Sequence, residues 1–202
     1  MSRHSQIAAG AAMALLAFAT DPAFAHTETG VAGGFISGFS HPLFGPDHLV
    51  AMVAVGLWGA QLGNPAVWVL PIAFPAVMAI GGFLGVIGVP LPMTEIFIAA
   101  SAIVLGIMVA FSVRPPLPVA GLLVAAFAIF HGHAHGAELP DAANPLAYGV
   151  GFVMATGLLH LCGIMIGLLI KWPAGAHLVR ACGLAIALVG CYFLALSTGL
   201  VA

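Results

Sequence analysis

Charged side chains are nearly absent from this sequence of 202 residues. It contains 4 Lys and Arg and 6 Asp and Glu, which together make up 5% of the chain, while 62% of the residues are hydrophobic. An ordinary soluble domain has about 25% charged residues, and a disordered chain needs charge and low hydrophobicity. The net charge of −2 also provides no basic surface for nucleic acid. These shortages exclude a soluble domain, a disordered chain and a nucleic-acid-binding protein, and they leave a polytopic membrane protein.

Cysteine is scarce as well. Cys162, Cys182 and Cys191 are the only three, and no Cys-x-x-Cys spacing occurs. The pattern therefore indicates neither a disulfide framework nor a thiolate metal cluster, and we expect these residues to be small apolar packing groups. Histidine is abundant by contrast, with nine residues against four Lys and Arg combined. Because most of these histidines lie within apolar stretches, they are the residues most informative about function.

The first 25 residues have the features of a secretory signal peptide. Arg3 precedes an apolar core at residues 7–19, and the Ala-Phe-Ala sequence that ends at Ala25 fits the small-x-small cleavage rule. We expect cleavage after Ala25, which would leave His26 as the mature N-terminus on the exported side. The alternative is an uncleaved first helix.

The remaining chain is divided into apolar runs by short segments rich in Pro, Gly and Asn. Backbone polar groups in lipid must be hydrogen-bonded internally, and the alternation of a transmembrane barrel is absent. The sequence therefore predicts an all-α membrane bundle of six transmembrane helices. The predicted spans are residues 31–61, 66–89, 93–113, 117–137, 145–170 and 176–200.

The few charges indicate the orientation of these spans. With the mature N-terminus outside, the basic residues fall in inner loops and the acidic residues fall at the outer face, in agreement with the positive-inside rule. Both termini would then be periplasmic or extracellular. The basic residues in inner loops are Arg114, Lys171 and Arg180, and the acidic residues at the outer face are Glu28, Glu95, Glu138 and Asp141.

Each half of the chain has three spans, an odd number, so the second half would cross the membrane in the opposite orientation to the first. Any internal repeat would therefore be an inverted one, as in many transporters. Two polar motifs support this interpretation, because they lie in spans 1 and 4, which are equivalent positions of the two halves. We therefore consider a 3+3 inverted repeat.

The first polar motif is the sequence HPLFGPDH at residues 41–48 of span 1. An ionisable residue inside a span is costly and is a functional hypothesis by default; here there are three: His41, Asp47 and His48. Asp47 is the only carboxylate deep within a span, so it must be protonated, paired or bound to a cation. The alternative is a kink whose polar side chains are hydrogen-bonded to neighbouring helices.

Pro42, Gly45 and Pro46 are expected to interrupt the helix within this motif. In a straight helix, His41 and His48 would lie roughly 10 Å apart along the axis, too far to share one ion. A break would bring them together and would place His48 in the first turn of a half-helix. Irregular backbone at membrane depth is tolerated where it is buried or lines a cavity, so we interpret the motif as part of a permeation site.

The second polar motif is HGHAHGAE at residues 131–138, near the end of span 4. His131 and His135 are four residues apart and share one helix face, where both can bind one ion. Glu138 extends that face outward, whereas His133 points roughly opposite. Imidazole and carboxylate together suit Ni²⁺, Zn²⁺, Cu²⁺ and Co²⁺. The alternative is a His-rich outer loop without a transport role. The small residues expected to let another helix approach closely are Gly132, Ala134 and Gly136.

Four other residues are candidate accessory ligands. Met52 lies one turn after His48, His160 lies within span 5, and His26 would offer an amine and an imidazole after cleavage; His133 is the fourth. For Met52 core packing is the favoured interpretation, whereas His160 is equally compatible with a structural hydrogen bond.

Depth along the spans suggests an order of binding stations. His41 lies about 15 Å into span 1, and His131 lies about 20 Å from the inner side of span 4, so the two are expected to meet near the middle of a core roughly 30 Å thick. The expected inward order is Glu138 and His135, then His131 with His41, and then Asp47 with His48.

At these two motifs the sequence resembles the HupE/UreJ family of nickel permeases. The resemblance rests on His41-x5-Asp47-His48, with Met52, Gly56 and Trp58 downstream, and on Phe130-His131-Gly132-x-Ala134-His135-Gly136-x-Glu138. The first motif is also similar to the His-x4-Asp-His signature of larger nickel/cobalt permeases, with one residue more. The resemblance covers the leader and the six-span layout, and thus nearly the whole chain, with residues 26–202 as one permease domain.

The resemblance implies uptake of Ni²⁺, or of Co²⁺, across the bacterial inner membrane, in support of hydrogenase or urease maturation. It also implies that both motifs act in transport, without a permanent cofactor and without an enzymatic reaction. It assigns no role to His133. The residues that the resemblance implies are important for transport are His41, Asp47, His48, His131, His135 and Glu138.

Two enzymatic alternatives remain open from the residues alone. A zinc metallohydrolase would use His131 and His135, but Gly132 stands where the catalytic Glu of a zincin would follow the first His. A haem-binding membrane subunit would use His41, His131 or His160 as axial ligands. The absence of a GxxxxGK[ST] motif indicates that this chain does not itself use ATP.

Overall fold

The fold is entirely helical wherever the chain is described. The computed structural model describes residues 30–139 and 144–201, so the leader sequence, His26, Glu28 and Asp141 lie outside the described residues. Seven α-helices and one short 3₁₀ helix make up these ranges: α1 (Gly30–Phe44), α2 (Pro46–Leu62), α3 (Ala66–Val86), α4 (Thr94–Ala110), α5 (Leu117–Ala137), α6 (Pro145–Gly167), the 3₁₀ helix (Leu168–Lys171) and α7 (Pro173–Ser197). The predicted all-α class is confirmed.

Four of these helices are long and apolar enough to cross a membrane, namely α3, α5, α6 with its 3₁₀ extension, and α7. α1 and α2, which meet at an angle of 77°, pass the same test only together, and counting the pair as one span raises the number to five. α4 has 17 residues and is about 25 Å long, which is shorter than a hydrocarbon core of roughly 30 Å. Each predicted apolar run thus has a helical counterpart, while the spans identified by length and composition number four or five.

The helices expose apolar side chains outward. Large hydrophobic residues such as Ile72, Phe83, Leu122 and Leu188 are more than half exposed, and these residues would be unfavourable in water. Several histidines are buried instead. This distribution, with apolar groups outside and ionisable groups inside, is expected when the surrounding solvent is lipid.

Proline and asparagine determine where several helices begin. Pro46, Pro145 and Pro173 each occupy the first position of a helix, where the missing N–H costs nothing and the fixed φ angle favours a helical start. At α6 the Asn144 side chain also accepts a hydrogen bond from the Ala147 N–H at 2.9 Å, which is an N-cap. The helix starts at Pro46 and Pro145 agree with the predicted break within span 1 and with the predicted start of span 5.

Glycine allows the helices to pack in close pairs. α3 packs along α5, α4 along α7, and both α1 and α2 along α6. A Cβ atom at Gly132 of α5 would overlap the Met78 carbonyl of α3, and one at Gly106 of α4 would lie 2.6 Å from the Ala187 nitrogen of α7. Backbone contact of this kind is typical of membrane helices, and it confirms the close approach predicted for the small residues of the second motif.

Candidate metal-binding site

The candidate site begins at the break between α1 and α2. α1 ends at Phe44, Gly45 has extended backbone angles (φ −86°, ψ 97°), and α2 begins at Pro46. The Gly45 N–H donates to the His41 carbonyl at 2.9 Å, and the Leu49 N–H donates to the Gly45 carbonyl at 2.8 Å. The predicted interruption is therefore confirmed, and both backbone polar groups of Gly45 are hydrogen-bonded at the break.

This break brings the two ends of the first motif together. Asp47 and His48 lie in the first turn of α2, and the ring of His48 is centred 6.3 Å from that of His41. Both features are those expected from the sequence. An uninterrupted helix would have separated these two imidazoles by a greater distance along its axis.

Four imidazoles from the two motifs form one group, which we call the imidazole cluster: His41, His48, His131 and His135. The centre of the His48 ring is 4.2 Å from that of His135 and 4.8 Å from that of His131. His41 adjoins His135, with ring centres 4.7 Å apart. His48, His131 and His135 are buried, and His41 is about one-third exposed.

Two carboxylates lie at the imidazole cluster. Oδ1 of Asp47 is 3.0 Å from Nδ1 of His48, and Oε2 of Glu138 is 3.9 Å from Nε2 of His41. One ligand atom each of His41, His135 and Glu138 lie within 4.8 Å of one another, a spacing at which they could hold a metal ion. Nitrogen and oxygen donors together suit divalent transition metals.

Several ring nitrogens of the cluster are buried and have no hydrogen-bond partner among the described residues. They are Nε2 of His48, Nδ1 of His131 and both ring nitrogens of His135. A buried polar atom without a partner costs about 1–3 kcal/mol, so such atoms require an explanation. Because the Asp47 carboxylate accepts a hydrogen bond, Nδ1 of His48 is the donor, and Nε2 of the neutral ring carries a free lone pair suited to a metal ion.

Ser101 of α4 fixes the ring of His131, a role that the sequence analysis missed. The Ser101 Oγ is 2.6 Å from the Ile98 carbonyl oxygen and 2.8 Å from Nε2 of His131. A carbonyl oxygen only accepts, so the hydroxyl donates its one hydrogen to Ile98 and accepts from Nε2–H of His131. Nδ1 of His131 is then left with the lone pair. No motif surrounds Ser101, and only the packing of α4 on the cluster identifies it.

The structure pairs the histidines differently from the depth estimate. His41 was expected to meet His131; instead, His41 lies against His135 and Glu138, while His48 lies against His131. The estimate assumed a straight first span. Because the chain bends by 77° after His41, His48 rather than His41 reaches the depth of His131.

The accessory candidates lie outside the imidazole cluster or outside the described residues. Nε2 of His133 is 2.7 Å from the Val89 carbonyl oxygen, so His133 is directed toward the end of α3, as its helical position predicted. Met52 is fully buried in the apolar core. His160 is buried against Phe74, with ring centres 5.5 Å apart. His26 belongs to the undescribed leader region.

Aromatic and acidic residues complete the surroundings of the cluster. Phe152 of α6 packs on His135, with ring centres 4.1 Å apart, and the Tyr148 ring is centred 6.3 Å from that of His41. Glu138 directly follows the last residue of α5. Partial burial raises the pKa of its carboxyl, and the nearby negative charge of Glu95 raises this pKa further. The sequence analysis placed Glu95 at the same face as Glu138 but gave it no role.

The fold and the donor set define a membrane protein with a buried cluster of nitrogen and oxygen ligands at a broken helix. A family model described as HupE / UreJ protein matches residues 13–193. Protein HupE of Rhizobium leguminosarum bv. viciae is 48% identical over 170 residues, which cover 84% of this chain and 89% of that protein. No solved structure has a significant match. The chain belongs to the HupE/UreJ family, as its two motifs predicted.

Proposed function

We propose that this protein takes up Ni²⁺, with Co²⁺ as a second substrate, by secondary transport across the bacterial inner membrane. Membership of the HupE/UreJ family supports metal uptake. The observation that carries the proposal is the convergence of His41, His48, His131 and His135 beside Asp47 and Glu138. We further propose that the metal ion is delivered to hydrogenase or urease maturation.

The proposed topology has a cleaved leader, six spans and periplasmic termini. The bent pair α1 and α2 would form span 1, and α4 would form the shortest span. Arg180 supports a common inner end for spans 3 and 6, because its Nε donates to the Ala110 carbonyl at the end of α4. Glu95 lies at the other end of α4, in its first turn, and Glu138 follows the last residue of α5. The basic and acidic residues are thus separated as the positive-inside rule requires.

The helix pairing supports a 3+3 inverted repeat. A two-fold relation would exchange spans 1 and 4, 2 and 5, and 3 and 6. The packing of span 2 (α3) on span 4 (α5) then corresponds to that of span 5 (α6) on span 1 (α1 and α2), and spans 3 (α4) and 6 (α7) pair with each other. In such transporters the substrate site lies near the midplane, where helices are discontinuous, which agrees with the break at Gly45.

In the proposed mechanism the ion moves between ligand sets rather than remaining in one. Glu138, His41 and His135 bind it first, and His48 with Asp47 and His131 bind it next. The two sets adjoin at His135 of the first and His48 of the second, whose ring centres are 4.2 Å apart. Conduction requires binding that also permits release, which several weak stations provide.

The membrane potential favours entry of a divalent cation by about 4.6 kcal/mol per 100 mV, twice the value for one charge.

The test is uptake of ⁶³Ni²⁺ into proteoliposomes that contain the purified protein, with Co²⁺, Zn²⁺ and Mg²⁺ as competitors. Replacing His41 or His131 with Ala, or Asp47 with Asn, is expected to abolish uptake. His177→Ala is the control, because His177 is exposed near the start of α7. Wild-type uptake by all three cluster variants would refute the ligand assignment. A Soret band in the purified protein would favour the haem-binding alternative instead.

A further inference from the structure

Two polar side chains on α6 lie buried outside the imidazole cluster. His160 is 1% exposed and Thr156 is 0% exposed. Both ring nitrogens of His160 and the hydroxyl of Thr156 have no hydrogen-bond partner among the described residues. Because the two are four residues apart, they share one face of α6. Unpartnered buried polar atoms are rare in native proteins and are often functional.

A backbone carbonyl of α3 adds a third polar group at this position. Pro75 has no N–H, so the Pro71 carbonyl, four residues earlier, lacks its usual helical donor. Pro71 lies one turn before Phe74, whose ring centre is 5.5 Å from that of His160, so its carbonyl belongs to the part of α3 that adjoins this imidazole. Carbonyl groups freed from helices at membrane depth commonly serve as cation ligands in transporters.

One aromatic ring stands between these groups and the imidazole cluster. Phe74 of α3 is fully buried, and its ring is centred 5.5 Å from that of His131 and 5.5 Å from that of His160. His160 has no ring contact with the imidazole cluster among the described residues, so we treat it as a separate position that adjoins Phe74. His160 also lies beside Gly56, two turns further along α2 than His48.

We propose that His160, Thr156 and the Pro71 carbonyl form a second, inner binding station for the transported divalent metal ion. This inference rests on the proposed function. The station offers one nitrogen donor and two oxygen donors, all neutral, whereas the charged Asp47 lies beside the imidazole cluster. A first-row divalent cation suits such donors, and the absence of a carboxylate among these three groups makes its binding weak, which favours release to the inner side.

Variants of Thr156 separate this role from a structural one. Thr156→Val keeps the side-chain shape and removes the unpartnered hydroxyl, so the stability of the protein should stay the same or rise. The maximal rate of ⁶³Ni²⁺ uptake should nevertheless fall several-fold, and Thr156→Ser should restore it. His160→Ala should lower the maximal rate by more than about tenfold. In each case the KM should change by less than about twofold, because it is set by the imidazole cluster.

The measurements are the initial rates of ⁶³Ni²⁺ uptake into proteoliposomes and the thermal unfolding of the same preparations, with Asp47→Asn in parallel. If Thr156→Val and His160→Ala transport at wild-type rates while Asp47→Asn is inactive, the inner station is refuted and the proposed function stands. If Asp47→Asn is also fully active, the proposed function fails. Loss of rate in Thr156→Val without recovery in Thr156→Ser would indicate packing and would also refute the station.

Discussion

The Ser101 hydroxyl accepts a hydrogen bond from Nε2 of His131 at 2.8 Å, and its own hydrogen goes to the Ile98 carbonyl. α4 thereby controls a ring that belongs to α5. With Nε2 protonated, Nδ1 of His131 keeps its lone pair on the side without a protein partner. Groups that hold a ligand imidazole in one tautomer are as important to a metal site as the ligands themselves.

Replacing Ser101 with Ala should therefore weaken nickel transport without removing any proposed ligand. His131 would lose its only hydrogen-bond acceptor among the described residues, and both its tautomer and its orientation would become variable. We expect the KM for ⁶³Ni²⁺ uptake to rise about 10- to 100-fold. Ser101→Thr retains the hydroxyl and should transport with a KM near that of the wild type.

Ser197→Ala is the matched control for this experiment. The Ser197 hydroxyl also donates to the carbonyl three residues earlier, Leu194, at 3.0 Å, but it is exposed near the end of α7. Its replacement should leave the KM unchanged. An unaltered KM in Ser101→Ala would show that the tautomer of His131 does not limit binding.

Acidification should weaken uptake, because protons compete with the metal ion for the same ligands. An unperturbed imidazole has a pKa of about 6.5. The raised pKa of Glu138 means that this carboxylate loses its charge at a higher pH than an ordinary Glu as the pH decreases. We therefore expect the apparent affinity for Ni²⁺ to fall progressively as the pH decreases from neutrality.

The measurement is the initial uptake rate at several Ni²⁺ concentrations, with equal pH inside and outside the vesicles so that no proton gradient contributes. Glu138→Gln removes the carboxylate contribution and leaves that of the imidazoles, so its affinity should be lower at neutral pH but should still fall on acidification. An affinity that stays constant down to pH 5 would argue against imidazole ligands.

The sequence predicted the local features of the site better than its three-dimensional pairing. Pro42, Gly45 and Pro46 determine the break because their effects on the backbone are local. The partner of His41 depends on the direction that α2 takes after the break, and a 77° bend cannot be derived from residue types. The assumption of a straight span therefore assigned His41 to the wrong neighbour.

Residues that contact the two motifs from other helices could not be predicted from the motifs themselves. Ser101 and Phe74 lie in ordinary apolar runs, and each contacts His131 only because of how α4 and α3 pack. The glycines of the second motif were easier to interpret. Their spacing on one helix predicted a close neighbour, although the identity of that neighbour, α3, came only from the fold.

The mature protein is expected to begin at His26, because the apolar core and the Ala-Phe-Ala sequence of the leader fit the cleavage rule. Mass spectrometry of the protein extracted from membranes should show a mass that corresponds to residues 26–202. Replacing Ala25 with a bulky residue such as Phe should block cleavage and yield the full-length form. An intact Met1 form in the wild-type protein would remove the signal-peptide assignment.

Enlarging Gly132 should separate α3 from α5 and disturb the site between them. A Cβ atom at Gly132 would overlap the Met78 carbonyl, and a backbone carbonyl has little freedom to move. Because Gly132 directly follows His131, displacement of the helix would also shift an imidazole of the cluster. Gly132→Val should therefore lower the thermal unfolding temperature and reduce ⁶³Ni²⁺ uptake by more than about tenfold, since small displacements at a site cost that much.

Gly121 on the same helix provides the control for this packing effect. A Cβ atom at Gly121 would meet no described atom within 4 Å, and Ala is favoured over Gly in a helix interior by about 1 kcal/mol. Gly121→Ala should thus keep or raise the unfolding temperature and transport normally. If Gly132→Val behaved in the same way, the α3–α5 contact would not hold the second motif in place, and the geometry of His131 and His135 would need another support.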